Sequence, residues 1–193
     1  MDLKNFKIRN TRPEEADIFI DILETGAKWL HANNIKQWPL GMFSSAEGRR
    51  DIVEGIDGKR CFMIDYYPSD DSSSGTPILA GLFVLNADDP FDWELWSDVE
   101  DWKDALYLHR LIFQEPFRGA GLTAKVIEFA EDKVKESGRH YLRLDCIAHN
   151  ESLRRFYREK CRGPGKGGLG ELSTRWNPER QLEFARFETR VVP

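Results

Sequence analysis

The run 105–157 carries the residues whose types and order suggest chemistry. An apolar stretch, ALYLHRLIF, leads through Gln-Glu-Pro to Phe117-Arg-Gly-Ala-Gly-Leu-Thr123. A helix-like stretch, a second apolar strand, Asn150 and Tyr157 follow. Backbone amides at a helix start are unpaired donors at the positive end of the helix dipole. Glycines let an anion approach such amides closely, and Arg118 adds a charge-assisted contact. The order therefore suits a ligand that carries a pyrophosphate. It also sets a carboxamide (Asn150) and a phenol (Tyr157) near the ligand's reactive end.

The glycine loop has two other readings. It can be a tight turn with helix-capping glycines. Gly119-x-Gly121-x-x-Ala124 also fits the dinucleotide fingerprint, with Asp145 near the end of the next strand as a ribose-binding acid. Two features weigh against the dinucleotide. Five residues separate Phe113 from the first glycine, whereas that turn leaves its strand abruptly. The upstream elements also lack the repeated strand–helix–strand order of a doubly wound sheet.

The elements that would position this loop can be read along the chain. A short strand over 6–9 precedes Thr11-Arg-Pro-Glu14, which fits a capping box. Ala16, Phe19, Ile20, Leu23, Ala27 and Leu30 recur at helical spacing, and the helix should end near Asn33-Asn34. Residues 35–43 read as a loop and 46–56 as a second helix. Strands are expected over 61–67, 78–86, 106–113, 141–147 and 184–192. Residues 68–77 read as a polar turn or insert, and 163–170 as a flexible glycine loop. Val126, Ile127, Phe129, Ala130 and Val134 give an apolar face to the helix before 141. The pattern is β–α–α–β–β–β–α–β–α–β–β: an α/β (α+β) domain with one mixed sheet covered on both faces.

Composition narrows the function. The chain has 193 residues, 40% hydrophobic and 32% charged, with a formal charge of −5. That length allows one domain with a substantial core. The acidic balance argues against a nucleic-acid partner. No apolar run has the length of a membrane span, and the N-terminus lacks an apolar signal core. Cys61, Cys146 and Cys161 lack CxxC spacing and read as free thiols in a reducing, cytoplasmic setting. Four scattered histidines show no zinc spacing, so no metal is expected.

Taken together, the loop, Asn150 and Tyr157 resemble the GNAT superfamily of acyl-CoA-dependent N-acetyltransferases. Arg118-Gly-Ala-Gly121-Leu-Thr123 is similar to the family's [Q/R]-x-x-G-x-[G/A], except that Thr123 replaces Gly or Ala. Asn150-Glu-Ser-Leu-Arg-Arg-Phe-Tyr157 is similar to N-x-x-A-x-x-[L/F]-Y. Ile8-Arg-Asn-Thr-Arg-Pro-Glu-Glu-Ala16 looks like the opening strand and helix cap. Lys28-Trp-Leu30, Ile35-Lys-Gln-Trp38 and Leu106-Tyr-Leu-His-Arg-Leu111 look like features of small members of the family. The usual Gly-Phe after the tyrosine helix is replaced by Glu-Lys-Cys-Arg-Gly-Pro-Gly165.

This resemblance implies a single N-acetyltransferase domain over 1–193. It implies a mostly antiparallel mixed sheet of about six to seven strands flanked by helices on both faces. Acetyl-CoA would be the co-substrate and a small-molecule amine the acceptor, in a monomer or homodimer with no membrane partner. Transfer would be direct, driven mainly by positioning. The main-chain groups of Leu111, Ile112 and Phe113 would bind the pantetheine arm, and one of these amides could stabilise the carbonyl oxygen. Arg118, Gly119, Ala120, Gly121, Leu122 and Thr123 would hold the pyrophosphate. Asn150 would bond the CoA arm or simply cap its helix. Tyr157 would protonate the leaving thiolate, or stand as a core tyrosine. His109 would take the amine's proton, or be a structural histidine, with Asp104, Glu100 or water as other bases. A non-catalytic acyl-CoA-binding or sensor module on the same fold is the alternative.

The stretch 88–104, DDPFDWELWSDVEDWKD, holds eight acids, three tryptophans and one lysine. Acids with aromatics suit a cationic amine such as a polyamine or amino sugar. They equally suit a solvated loop with its tryptophans packed inward. On the first reading, neutralising Asp98, Glu100 and Asp101 raises the acceptor's KM. Trp29 and Trp38 would close the same cleft or plug the core.

Overall fold

The structure is a computed structural model that describes residues 1–35, 37–68, 76–87 and 89–192. Most of the insert expected at 68–77, namely 69–75, lies outside the described residues, as do Lys36 and Asp88 from two of the motifs above. The strands are β1 (Phe6–Asn10), β2 (Cys61–Tyr66), β3 (Ile78–Asn86), β4 (Ala105–Phe113), β5 (Tyr141–Ile147), β6 (Gly170–Asn177) and β7 (Leu182–Arg190). The helices are α1 (Ala16–Ala32), α2 (Ala46–Asp57), α3 (Pro90–Trp96), α4 (Leu122–Glu136) and α5 (Glu151–Glu159). The strands form a seven-stranded mixed sheet in the order β1-β2-β3-β4-β5-β7-β6. β4 and β5 run parallel, while β1–β2, β2–β3, β5–β7 and β6–β7 are antiparallel.

The chain divides into two compact units: Met1–Val84 with Arg110–Ala120, and Leu85–His109 with Gly121–Pro193. In the first, the helical spacing read in the sequence places Phe19, Ile20, Leu23 and Ala27 on the buried face of α1. They pack with Phe43, Ile52, Ile56, Met63, Leu82 and Val84. Each large side chain so buried contributes roughly 1.5–3 kcal/mol. Ser45 caps α2, its hydroxyl accepting from the Gly48 amide at 3.0 Å. Glu24, on α1, accepts from the amides of Gly41, Phe43 and Ser44, so one carboxylate shapes the whole loop before α2. Burial pushes its pKa up, but these hydrogen bonds outweigh burial and leave it lowered.

The cap of α1 differs from the expected Thr11–Glu14 pair. Pro13 begins a 3-10 turn, Pro13–Glu15, which shifts the reciprocal partner by one residue. The Arg12 amide donates to Glu15 at 2.9 Å, while the Thr11 hydroxyl is buried with no hydrogen bond among the described residues. Glu15 also takes two hydrogen bonds from Arg9, at 2.7 and 2.8 Å, and Arg9 in turn reaches Asp65 on β2.

In the second unit, α3 occupies the acidic stretch, where no helix was expected. Its signal is local: the Asp89 side chain accepts from the Phe91 amide at 2.9 Å, and Pro90 fills the first turn. The glycine loop yields at Gly170 to β6, a strand whose bounds the sequence did not mark.

The Glu15 cluster sets a pH-dependent part of the stability. Burial raises the Glu15 pKa, but Arg9 and Arg12 more than reverse this, bringing it from 4.5 to about 2. A depressed carboxylate stabilises the fold above its unfolded pKa and loses that contribution as pH falls through the folded value. Glu15→Gln is expected to cost about 2–3 kcal/mol at pH 7. The gap from wild type should narrow as pH drops from about 4.5 toward about 2. Urea unfolding of both proteins at pH 7 and pH 3 measures it.

Candidate active site

β4 positions the first candidates. Ala105–Leu108 are buried and pair in parallel with β5 from Ala105↔Tyr141 to Leu108↔Leu144. His109 is the next residue. Arg110 then adopts φ 55°, the left-handed region that L side chains with a Cβ avoid. A left-handed residue inside a strand bends it and re-aims the neighbouring side chains. Within the first unit, Leu111, Ile112 and Phe113 follow the bend and are half-buried. Ile112 lies so near Gly81 and Gly26 that a Cβ there would meet its carbonyl oxygen at 2.5 Å or its Cδ1 at 2.7 Å.

The loop after β4 comes next. Gly119 and Gly121 both sit at φ 79°, and a Cβ added to either meets nothing within 4 Å. These glycines serve a left-handed turn with open space beside it. Gly121 is the N-cap of α4; it supplies no side-chain cap, and the first turn holds no acid. The first amides of α4, those of Leu122 and Thr123, have no carbonyl four residues back to bond. Leu122 is buried and Thr123 half-buried. Ala120 is half-buried, its amide donating to the Phe117 carbonyl at 3.3 Å. Arg118 is exposed, bonds the Phe113 carbonyl at 3.3 Å and lies 5.3 Å over the Trp29 ring. Trp29 is thus exposed under an arginine, while Trp38 packs edge-on against Phe43 at the core.

In the second unit, His109 meets two carboxylates. Its Nε2 is 2.7 Å from Asp92 Oδ1 and its Nδ1 is 3.8 Å from Asp145 Oδ1. The side chains of Asp92 and Asp145 are 1% and 7% exposed, and that of His109 13%. Burial pushes the Asp92 carboxyl up, with His109 opposing. Burial pushes Asp145 up to about 6; His109 pulls it down and Asp92 adds to the rise. Asp92 was not among the sequence candidates, and Asp145 entered only through the dinucleotide reading. The signal for Asp92 was its place two residues into the Asp-Pro helix start.

The other acids of the stretch have different work. Asp98 accepts from Arg186 at 2.6 Å and pairs with Arg175 at 3.0 Å. Asp101 accepts from Arg143 at 2.7 Å. Asp104 bonds His140, and Glu100 is exposed. Asp98 and Asp101, which the sequence offered for a cationic acceptor, are therefore neutralised within the fold.

Asn150 caps α5, its Oδ1 accepting from the Leu153 amide at 3.2 Å. Tyr157, about two turns further into α5, is half-buried with its ring 5.6 Å from that of Phe187. Burial pushes its phenol pKa up, reinforced by Cys146, Cys161 and Asp145. The phenol is therefore a proton donor at neutral pH. The chain after α5 still anchors the tyrosine: the Leu169 amide and the Cys161 thiol both donate to the Tyr157 carbonyl, at 2.9 and 3.1 Å. A Cβ on Gly168 would lie 2.2 Å from the Tyr157 carbonyl oxygen and from the Arg158 carbonyl carbon. Both are backbone atoms that cannot swing aside. Gly168→Ala is expected to cost about 1–3 kcal/mol, read as a lower urea midpoint.

Comparison with known proteins accords with this geometry. The profile of the Acetyltransferase (GNAT) family matches residues 27–163. The chain is 30% identical over 145 residues to the uncharacterized N-acetyltransferase YesJ of Bacillus subtilis (strain 168), covering 75% of this chain and 74% of that one. The crystal structure of a GNAT-family acetyltransferase from Listeria monocytogenes superposes with a TM-score of 0.70 at 24% identity, over 96% of this chain and 94% of that one. A putative acetyltransferase from Salmonella typhimurium, yncA, solved with acetyl-CoA, gives 0.60 at 10% identity, over 97% and 95%. With the family profile spanning most of the chain, this protein belongs to the GNAT family of acetyl-CoA-dependent acetyltransferases.

Proposed function

We propose that residues 1–193 act as one catalytic domain that moves an acetyl group from acetyl-CoA directly to a primary amine. The observation that carries the reading is the set His109, Asp92, Asp145 and Tyr157 in one compact unit. It combines a histidine oriented by a carboxylate with a phenol kept protonated.

Acetyl-CoA fits the residues present. A pyrophosphate is an anion, and the start of α4 offers amides of Gly121, Leu122 and Thr123 with no competing acid or side-chain cap. The open space at Gly119 and Gly121 admits a close approach, and Arg118 adds positive charge. Ala120 contributes main chain to the same run. Leu111, Ile112 and Phe113 supply main-chain groups for the pantetheine arm and the thioester oxygen. Asn150 acts through the start of α5, which it caps.

An alkylamine is an ammonium at neutral pH and must lose a proton before attack. Asp92 accepts at Nε2 of His109, which fixes the ring's orientation. His109 takes the ammonium proton. The amine nitrogen forms a bond to the carbonyl carbon, and the carbon–sulfur bond breaks. Tyr157 gives its proton to the departing thiolate, and the amide nitrogen's surplus proton restores the phenol. His109 finally releases its proton to water.

Two outcomes test this. Tyr157→Phe should lower kcat by about 10- to 100-fold while the CoA Kd stays within twofold of wild type. An unchanged kcat removes the phenol from the chemistry. His109→Gln should lower kcat/KM for alkylamines by about 100-fold, a loss that rising pH partly restores as free amine accumulates. Thiol release in steady-state assays across pH 6–10 checks both. CoA, and not NAD(H), should raise the melting temperature.

A further inference from the structure

We infer that Asp145, beside the His109–Asp92 pair, binds the ammonium group of a cationic alkylamine acceptor and so selects this substrate class. The inference rests on the amine-acetyltransferase reading for the cation's identity as acceptor, but its binding test does not depend on turnover. Two observations carry it. First, Asp92 Oδ2 and Asp145 Oδ1 are buried and lack a hydrogen-bond partner among the described residues. A buried acceptor left unsatisfied costs about 1–3 kcal/mol, and more when ionised, so native folds seldom keep two in one cluster without a use. Second, the cluster is short of positive charge. Two buried carboxylates face one imidazole, so when both are ionised a protonated His109 balances only one of them. Arg180, 4.4 Å over the Phe91 ring, favours the ionised form of Asp145, and Asp89 adds a further negative charge near Asp92.

A ligand that donates hydrogen bonds and carries positive charge answers both deficits. An alkylammonium does so with three N–H donors on one atom. A metal ion fits less well: among the described residues no group of three or more His, Cys, Asp or Glu could hold one. An ammonium on Asp145 Oδ1 also lies next to His109, the group proposed to deprotonate it. Recognition and proton removal then act on the same nitrogen. The acids that might have attracted the amine from the surface, Asp98 and Asp101, are held by Arg186, Arg175 and Arg143.

The test compares 1,4-diaminobutane with 1,4-butanediol, a neutral molecule of the same shape, by calorimetry on wild type and Asp145→Asn with and without saturating CoA. The diamine should bind wild type at least tenfold more tightly than the diol. The variant should lose at least tenfold in diamine affinity with no change for the diol. Its CoA-induced rise in melting temperature should match wild type, which shows the fold is kept. Wild type that binds diol as well as diamine, or binds neither, overturns the inference without need of the variant. So does a folded variant with unchanged diamine affinity. Tight, Asp145-dependent diamine binding without acetyl transfer would instead leave the cation site standing and sink the catalytic reading.

Discussion

A left-handed residue inside a strand persists only if its surroundings hold it there, and Arg110 on β4 is held twice. Its guanidinium bonds Asp51 of α2 at 2.7 Å and lies 5.4 Å over the Phe43 ring. Phe43 is in turn seated by Glu24, which accepts the Phe43 amide. Side chains from α1, the following loop and α2 therefore converge on one backbone torsion. The consequence is local and large. Before the bend, residues 105–108 of β4 are buried and paired with β5; after it, residues 111–113 are half-buried. The glycines at 81 and 26 belong to the same constraint, because any side chain there would push Ile112 away.

The second unit depends on α3, a seven-residue helix too short to be stable by itself. It is held from outside. Trp96 is fully buried, with the guanidiniums of Arg143 and Arg186 at 5.0 and 5.3 Å from its ring. Arg186 bonds the Leu95 carbonyl at 2.8 Å, and Arg175 bonds the Glu94 carbonyl at 3.1 Å. Buried arginines such as Arg143 and Arg186 are costly unless their N–H groups find acceptors, and Asp101 and Asp98 are among those acceptors. The acidic stretch thus divides by role. Acids after the helix neutralise arginines of β5, β6 and β7 and fasten it. Of the two acids within it, Glu94 accepts from Asn177 and Asp92 is carried inward to the histidine.

Burial then makes the chemistry of that unit one-sided. It raises Asp92, Asp145 and Tyr157 alike, because each loses water that would stabilise its anion. For the tyrosine this preserves a proton to give. For the carboxylates it makes a cationic partner worth more than it would be at the surface, where water screens the attraction.

Much of this was legible in the chain. The period of Phe19, Ile20, Leu23 and Ala27 marked α1, and the edges of β3 and β5 were readable because apolar runs there stop at polar residues. The loop from Arg118 to Thr123 and the pair Asn150–Tyr157 named the family, since close backbone approach and a helix cap each demand particular residue types at fixed spacing. Those are local requirements, and sequence records local requirements well. It could not say which of eight acids meets His109, or that Asp98 and Asp101 are occupied by arginines 88 and 42 positions away. Nor could it place a left-handed torsion at an arginine, a residue with no intrinsic preference for one. Those outcomes follow from long-range packing: charges pair with whatever the folded chain brings near, and strain settles where neighbours compensate it. The sequence by itself determined the family and most of the elements, though not α3 or the bounds of β6; the tertiary structure alone decided which ionisable groups lose their water together.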